Sequence, residues 1–183
     1  RLTCTSARRY KRSLAFGDGA AQLRIPAIGL RKYVVKGAGV PELIKGPGFY
    51  RETSFPGCGT PVAIAGHRTT HGAPFLHIDR LRVGDPIVLD LPYGRFTYRV
   101  SRTQIITPRD WSIINIGAGA QTSAQRAAWR RSYQARQLCP TRGGTCEHLV
   151  MTACHPKYSA RQRIAVFSIL ERVQLRTRAA RTT

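Results

Sequence analysis

From residue 23 onward, apolar and polar positions alternate in short runs, each cut off by proline or glycine. The runs at 23–28, 32–36, 60–65, 86–91, 94–106, 147–154 and 163–175 have strand length and are rich in β-branched and aromatic residues. Within 94–106, alternation sends Phe96 and Tyr98 to one face and Arg95, Thr97 and Arg99 to the other. Tyr93-Gly94, between two such runs, reads as a hairpin turn. Strands at this spacing predict an all-β barrel or sandwich.

Three stretches break the pattern. Residues 1–21 are basic, carry Gly17 and Gly19 and show no clear period, which predicts a flexible lead-in with room for a short helix. Residues 123–138 are rich in helix formers behind Ser123 as N-cap, with Ala128, Trp129 and Tyr133 on the inward edge. The tail at 177–183 is polar, basic and expected to fray. The main domain is therefore expected over residues 22–176, with a helical insertion at about 119–146.

Composition adds one strong feature. The 183 residues hold 30 Lys and Arg against 9 Asp and Glu, a formal charge of +21. Such a field attracts polyanions, whether nucleic acid, wall polymer or anionic lipid, unless it is only a solvated basic surface. Nucleic-acid readers of single strands interleave aromatics with arginine on one strand face, and 95–99 splits them between two faces instead. No specific nucleic-acid partner is expected. Gly117-Ala118-Gly119 is followed by no Walker-type lysine, so no phosphate cradle is expected either. No run of about 18 apolar residues occurs.

The chemistry gathers near the C-terminal end. Residues 147–154 read as a buried strand that ends on Cys154, and the next strand opens with Arg163. A cation beside a thiol favours the thiolate and can steady an oxyanion. Of the five histidines, His67 follows the apolar run 62–65 behind Gly66 and is one good candidate for a general acid/base. His71 lies in a Thr-Thr-His-Gly turn, His77 is expected to cap or face solvent, and His148 is expected at a strand surface. His155 should point away from Cys154. Arg161 lies on the same strand face and competes with Arg163, which directly precedes Ile164-Ala165-Val166.

If Cys154 is a free nucleophile, Cys4, Cys58, Cys139 and Cys146 remain, and four cysteines allow three pairings. Cys139 and Cys146 flank Pro140-Thr141-Arg142-Gly143-Gly144-Thr145, a natural turn, and a bond there would stabilise by about 2.5 kcal/mol. Disulfides persist outside the cytosol. No Cys-x-x-Cys spacing occurs and the histidines are scattered, so no metal and no other cofactor is expected.

These ordered segments resemble the sortases, closest to the class E type of high-GC Gram-positive bacteria. The resemblance runs through residues 23–30, Lys45-Gly46-Pro47-Gly48, Val62 to Thr70, Leu81-Arg82-Val83-Gly84-Asp85, Pro92 to Tyr98, and Cys154 to Arg163. It implies a mainly β fold, a closed barrel of about eight strands with short helices and a helical insertion before the cysteine strand. It implies a cysteine transpeptidase with Cys154, His67 and Arg163 as its catalytic set. Thr69, His71, Thr152 and Ala153 become the candidates for the substrate groove. The family commonly has Thr directly before the cysteine, whereas Ala153 stands here with Thr152 one step earlier, which predicts a hydroxyl missing near the oxyanion.

The implied substrate is the C-terminal sorting signal of secreted surface proteins, Leu-Ala-x-Thr-Gly or Leu-Pro-x-Thr-Gly, cut between Thr and Gly. The implied acceptor is an amine of a peptidoglycan precursor. The implied location is the extracellular face of the cytoplasmic membrane, beside an anionic envelope and held by a membrane anchor upstream. Two rival readings remain: a basic β-barrel module that grips an anionic polymer, and a cysteine peptidase with water as acceptor.

Overall fold

The computed structural model describes residues 2–110, 113 and 147–176. The strands are β1 (Gly19–Ile25), β2 (Leu30–Lys36), β3 (Gly48–Phe49), β4 (Val62–Ala65), β5 (Pro86–Leu91), β6 (Gly94–Ile106), β7 (His148–His155) and β8 (Gln162–Leu175). They close into a barrel in the order β1-β2-β3-β4-β7-β8-β6-β5. The expected runs thus map onto strands; the two-residue β3 was not expected, and α2 (Val40–Lys45) is one of the short helices that the resemblance implied.

Alternation dictates the two faces. Leu23, Val34, Val62, Ile64, Leu89, Phe96, Tyr98, Met151, Ala153, Ile164 and Val166 fill the barrel interior. The opposite parity of β4, β7, β8 and the end of β6 buries a second, outer cluster of Ala63, Val150, Ala165, Phe167, Ile106 and Ile113, with Tyr50 packed against it. β7 is therefore buried on both faces, which is why its sequence reads as a continuous apolar run. The hairpin at Tyr93 forms as expected, with Leu91 paired to Gly94. Two register shifts let the 13-residue β6 bend around the barrel against β8.

The N-terminal segment forms the short helix for which the expected lead-in left room, but it is packed on the barrel rather than flexible. Residues Leu2–Ser13 form a helix, α1, although they offer no acidic residue in the first turn. Tertiary contacts supply what local propensity lacks. Ala7 is buried in the core cluster, and the Tyr10 ring sits edge-on to Tyr93 and against Phe55. Lys11 Nζ donates to the carbonyls of Arg51 and Thr53 at 3.0 and 2.6 Å. Cys4 is bonded to Cys58, 54 positions away, a closure that stabilises by about 4 kcal/mol. The proposed bond between Cys139 and Cys146, the helix at 123–138 and the tail at 177–183 lie outside the described residues. Among the described residues no helix is long and apolar enough to cross a membrane.

Cys58 also belongs to the loop that holds the start of β7. Gly57, at a φ of 105° that favours glycine, points its N–H at Glu147, which takes it on both oxygens at 2.9 and 2.8 Å. Gly59 N–H and the Tyr98 hydroxyl donate to the same carboxylate at 2.8 and 2.7 Å. Glu147 is buried, and burial raises its carboxyl pKa although Tyr98 and the loop amides pull against it. Glu147→Ala leaves these donors facing a void and should lower the unfolding free energy by roughly 3 kcal/mol, read by urea denaturation. A loss below about 0.5 kcal/mol would show that the loop finds other partners.

Candidate active site

β7 runs parallel to β4 and antiparallel to β8. In the β4 pairing Ala65 lies beside Thr152, and Gly66 N–H extends the ladder by donating to Thr152 O at 3.0 Å. The next position along is His67, level with the end of β7. On the other side Cys154 is directly paired with Arg163. Lateral register thus gathers residues 67, 154 and 163 at one end of the sheet. Gly66 allows a close approach here: a Cβ on it would lie 2.5 Å from the Phe75 ring, and Phe75 N–H in turn holds His67 O at 3.0 Å.

Alternation orients the side chains. Cys154 shares the outer face with Val150 and Thr152, opposite to Met151 and Ala153. Cys154 is a free thiol, half-buried. Arg163, also half-buried, has Nη1 steadied by the carbonyls of Ala160 and Gln162, each at 2.9 Å. It has no ion pair among the described residues. Arg161 is exposed and lies just before β8.

His67 stacks on His71 with ring centroids 4.6 Å apart. Partial burial lowers the His67 pKa, and the neighbouring His71 lowers it further. His71 is exposed, at a φ of 50°, and Thr69 is half-buried in the same turn. Thr152 is buried on the face of the thiol, its hydroxyl 2.8 Å from the Tyr50 hydroxyl.

Ala153 is a correction. Its methyl belongs to the barrel core, 3% exposed, because it has the opposite parity to Cys154. A threonine hydroxyl at that position would point into the barrel, so the expected gap near the oxyanion does not arise from it. His148 is a second correction, since it is fully buried rather than at a strand surface. His155 points away from the thiol, as expected, and meets Arg68.

Two residues of the site were not singled out in the sequence. Tyr50 follows a two-residue strand, and its N–H donates to Ala63 O at 3.0 Å, which puts its ring on the outer face. Burial raises its pKa, and it feels the charges of both Arg163 and Cys154. Arg68 is buried immediately beyond His67. Its only sequence signal was a place next to a candidate histidine. Among the described residues no group of three or more His, Cys, Asp or Glu could hold a metal ion.

A thiol, an imidazole and a guanidinium carried by residues at one end of one sheet would suit nucleophilic attack on a carbonyl and return of a proton to a leaving amine. The family model described as Sortase domain matches residues 23–171. Sortase D of Bacillus subtilis is 34% identical over 100 residues, 55% of this chain and 49% of that protein. The structure of sortase E from Streptomyces avermitilis matches with a TM-score of 0.68 at 29% identity, covering 88% of this chain and 93% of that one. Sortase E1 from Streptomyces coelicolor, solved with a tripeptide in its active site, shares the fold with a TM-score of 0.68 at 23% identity, over 87% and 91% of the two chains. The chain spans about half or less of the length of the curated relatives it matches.

The paired histidines give a direct test. Protonated His71 repels a proton on His67, so His71→Asn should raise the His67 pKa toward the ordinary imidazole value. Titration of the His67 ring signals by NMR checks it. A pKa that stays put or falls contradicts the stacking.

Proposed function

This chain belongs to the sortase family, and from that premise we propose that it is a cysteine transpeptidase in which Cys154, His67 and Arg163 carry the reaction. The Cys154 thiolate attacks the carbonyl of the threonine in a Leu-Ala-x-Thr-Gly-like sorting signal, or its Leu-Pro-x-Thr-Gly counterpart. The carbonyl oxygen gains negative charge, and Arg163 donates to it. His67, as imidazolium, gives its proton to the departing glycine nitrogen, so the Thr–Gly bond breaks and a thioester remains. An incoming amine then attacks the thioester and loses a proton to His67. A new amide forms and the thiolate departs, which restores the starting charges.

The observation that carries this reading is the register: Cys154 opposite Arg163 across β7 and β8, and the β4 ladder running on to Gly66, the residue before His67. Thr152 and Tyr50, joined hydroxyl to hydroxyl on the thiol's face, offer polar groups for a peptide lying there. The lowered His67 pKa disfavours the imidazolium, so the His67-dependent limb of the pH–rate profile should lie below the ordinary imidazole value.

The acceptor on this reading is an amine of a peptidoglycan precursor, and the setting is the outer face of the cytoplasmic membrane. The bond between Cys4 and Cys58 supports a location outside the cytosol, and the charge of +21 suits an anionic envelope.

A fluorogenic sorting peptide, with and without a glycine-type amine, tests the proposal. The amine should divert product from the free acid to the new amide, as read by mass spectrometry. Cys154→Ala should abolish cleavage, and Arg163→Lys should cut kcat about 100-fold because a point charge cannot match the planar fork. Cleavage that survives Cys154→Ala contradicts the proposal, and products unchanged by amine would leave a peptidase that uses water.

A further inference from the structure

The planar side chain of Arg68 is 3% exposed, and its two terminal nitrogens find partners while Nε has none among the described residues. Nη1 donates to the carbonyl oxygen of Cys154 at 3.2 Å and lies 2.9 Å from Nδ1 of His155. A guanidinium has no acceptor, so Nδ1 must accept and the His155 ring carries its proton on Nε2. Nη2 pairs with Asp79 Oδ2 at 2.9 Å, and Asp79 belongs to the 3-10 turn Ile78–Arg80. One side chain therefore ties three segments together: the loop after β4, the end of β7 and that turn.

The backbone explains why such a tie is needed. The β4–β7 ladder ends at Gly66 N–H, one residue short of His67. Beyond it no backbone bond joins residues 67 and 68 to β7 among the described residues. The side chains of Arg68 and His155 then meet on the side of the sheet end opposite to the Cys154 thiol. Resting on the transpeptidase reading above, we propose that Arg68 is a positioning residue, which continues the strand pairing past the end of the ladder and so fixes the separation of the His67 ring from the Cys154 sulfur. Its atoms touch the carbonyl of the nucleophile's own residue and lie one peptide from the acid/base. Loss of the tie lets the two drift apart, and an error of an ångström costs far more in turnover than in substrate affinity.

Three variants test it. Arg68→Met keeps length and burial but removes every donor. It should lower kcat about 30-fold or more with KM within about threefold of wild type. Arg68→Lys restores charge without the fork and should recover only part of the loss. Asp79→Asn, at a partly exposed residue, releases Nη2 and should lower kcat about fivefold, which keeps the test alive if Arg68→Met does not fold.

A second readout needs no peptide. The rate at which iodoacetamide alkylates Cys154 should depend on pH in wild type partly through His67, and the Arg68→Met profile should coincide with that of His67→Ala. Its plateau at high pH should match wild type. A folded Arg68→Met with wild-type kcat and a wild-type alkylation profile overturns the proposal, as does full activity in Arg68→Lys, or wild-type kcat in Asp79→Asn when Arg68→Met is unfolded. If the wild-type protein cleaves no sorting peptide, the transpeptidase reading fails, and the alkylation comparison still decides the role of Arg68.

Discussion

Everything at this site depends on the register of one strand. β7 is gripped by β4 on one side and β8 on the other, and it is buried on both faces. A slip of one residue would turn Cys154 into the barrel and bring Ala153 to the surface, exchanging the contents of the two hydrophobic clusters. That exchange is costly because Met151 and Ala153 face Val166 and Ile164 inside, while Val150 and Thr152 face Phe167 and Ala165 outside. The packing of half a dozen apolar side chains thus fixes where the thiol emerges. Glu147 anchors the entry to the same strand through Tyr98 and the loop that the Cys4–Cys58 bond secures.

Charge is distributed with the same economy. The chain has 9 acidic residues against 30 basic ones, and several of the acids hold structure. Asp79 receives Arg68, Asp90 gathers Arg24, Arg95 and Arg176, and Glu171 meets Arg99. Arg163 meets no carboxylate within ion-pair range among the described residues and is steadied by two carbonyls instead. A cation left in that condition keeps its attraction for an anion that forms during a reaction, which a salt bridge would quench.

The sequence carried the strands well where one face was wet or the run was unbroken. β5 and β6 alternate visibly, and β7 announces itself by an apolar run too short for a buried helix. The candidate trio was picked out by its places near strand ends together with the resemblance to the sortase motifs. What stayed hidden depends on long-range contact. α1 has a narrow apolar edge and gains its stability from Phe55, Tyr93 and Cys58, far along the chain. β3 is only two residues long, so Tyr50 had no strand to announce it. Arg68 was one arginine among many until burial singled it out. Parity, which was applied to His155, would have turned Ala153 inward as well.

The most direct measurement is the intact mass of the protein after mixing with a Leu-Ala-x-Thr-Gly peptide in the absence of added amine, followed by digestion to locate any adduct. The account predicts a thioester-linked mass equal to the peptide through its threonine, carried on Cys154 and discharged when an amine is supplied. A folded protein that acquires no such adduct, or carries it on another residue, would contradict the account.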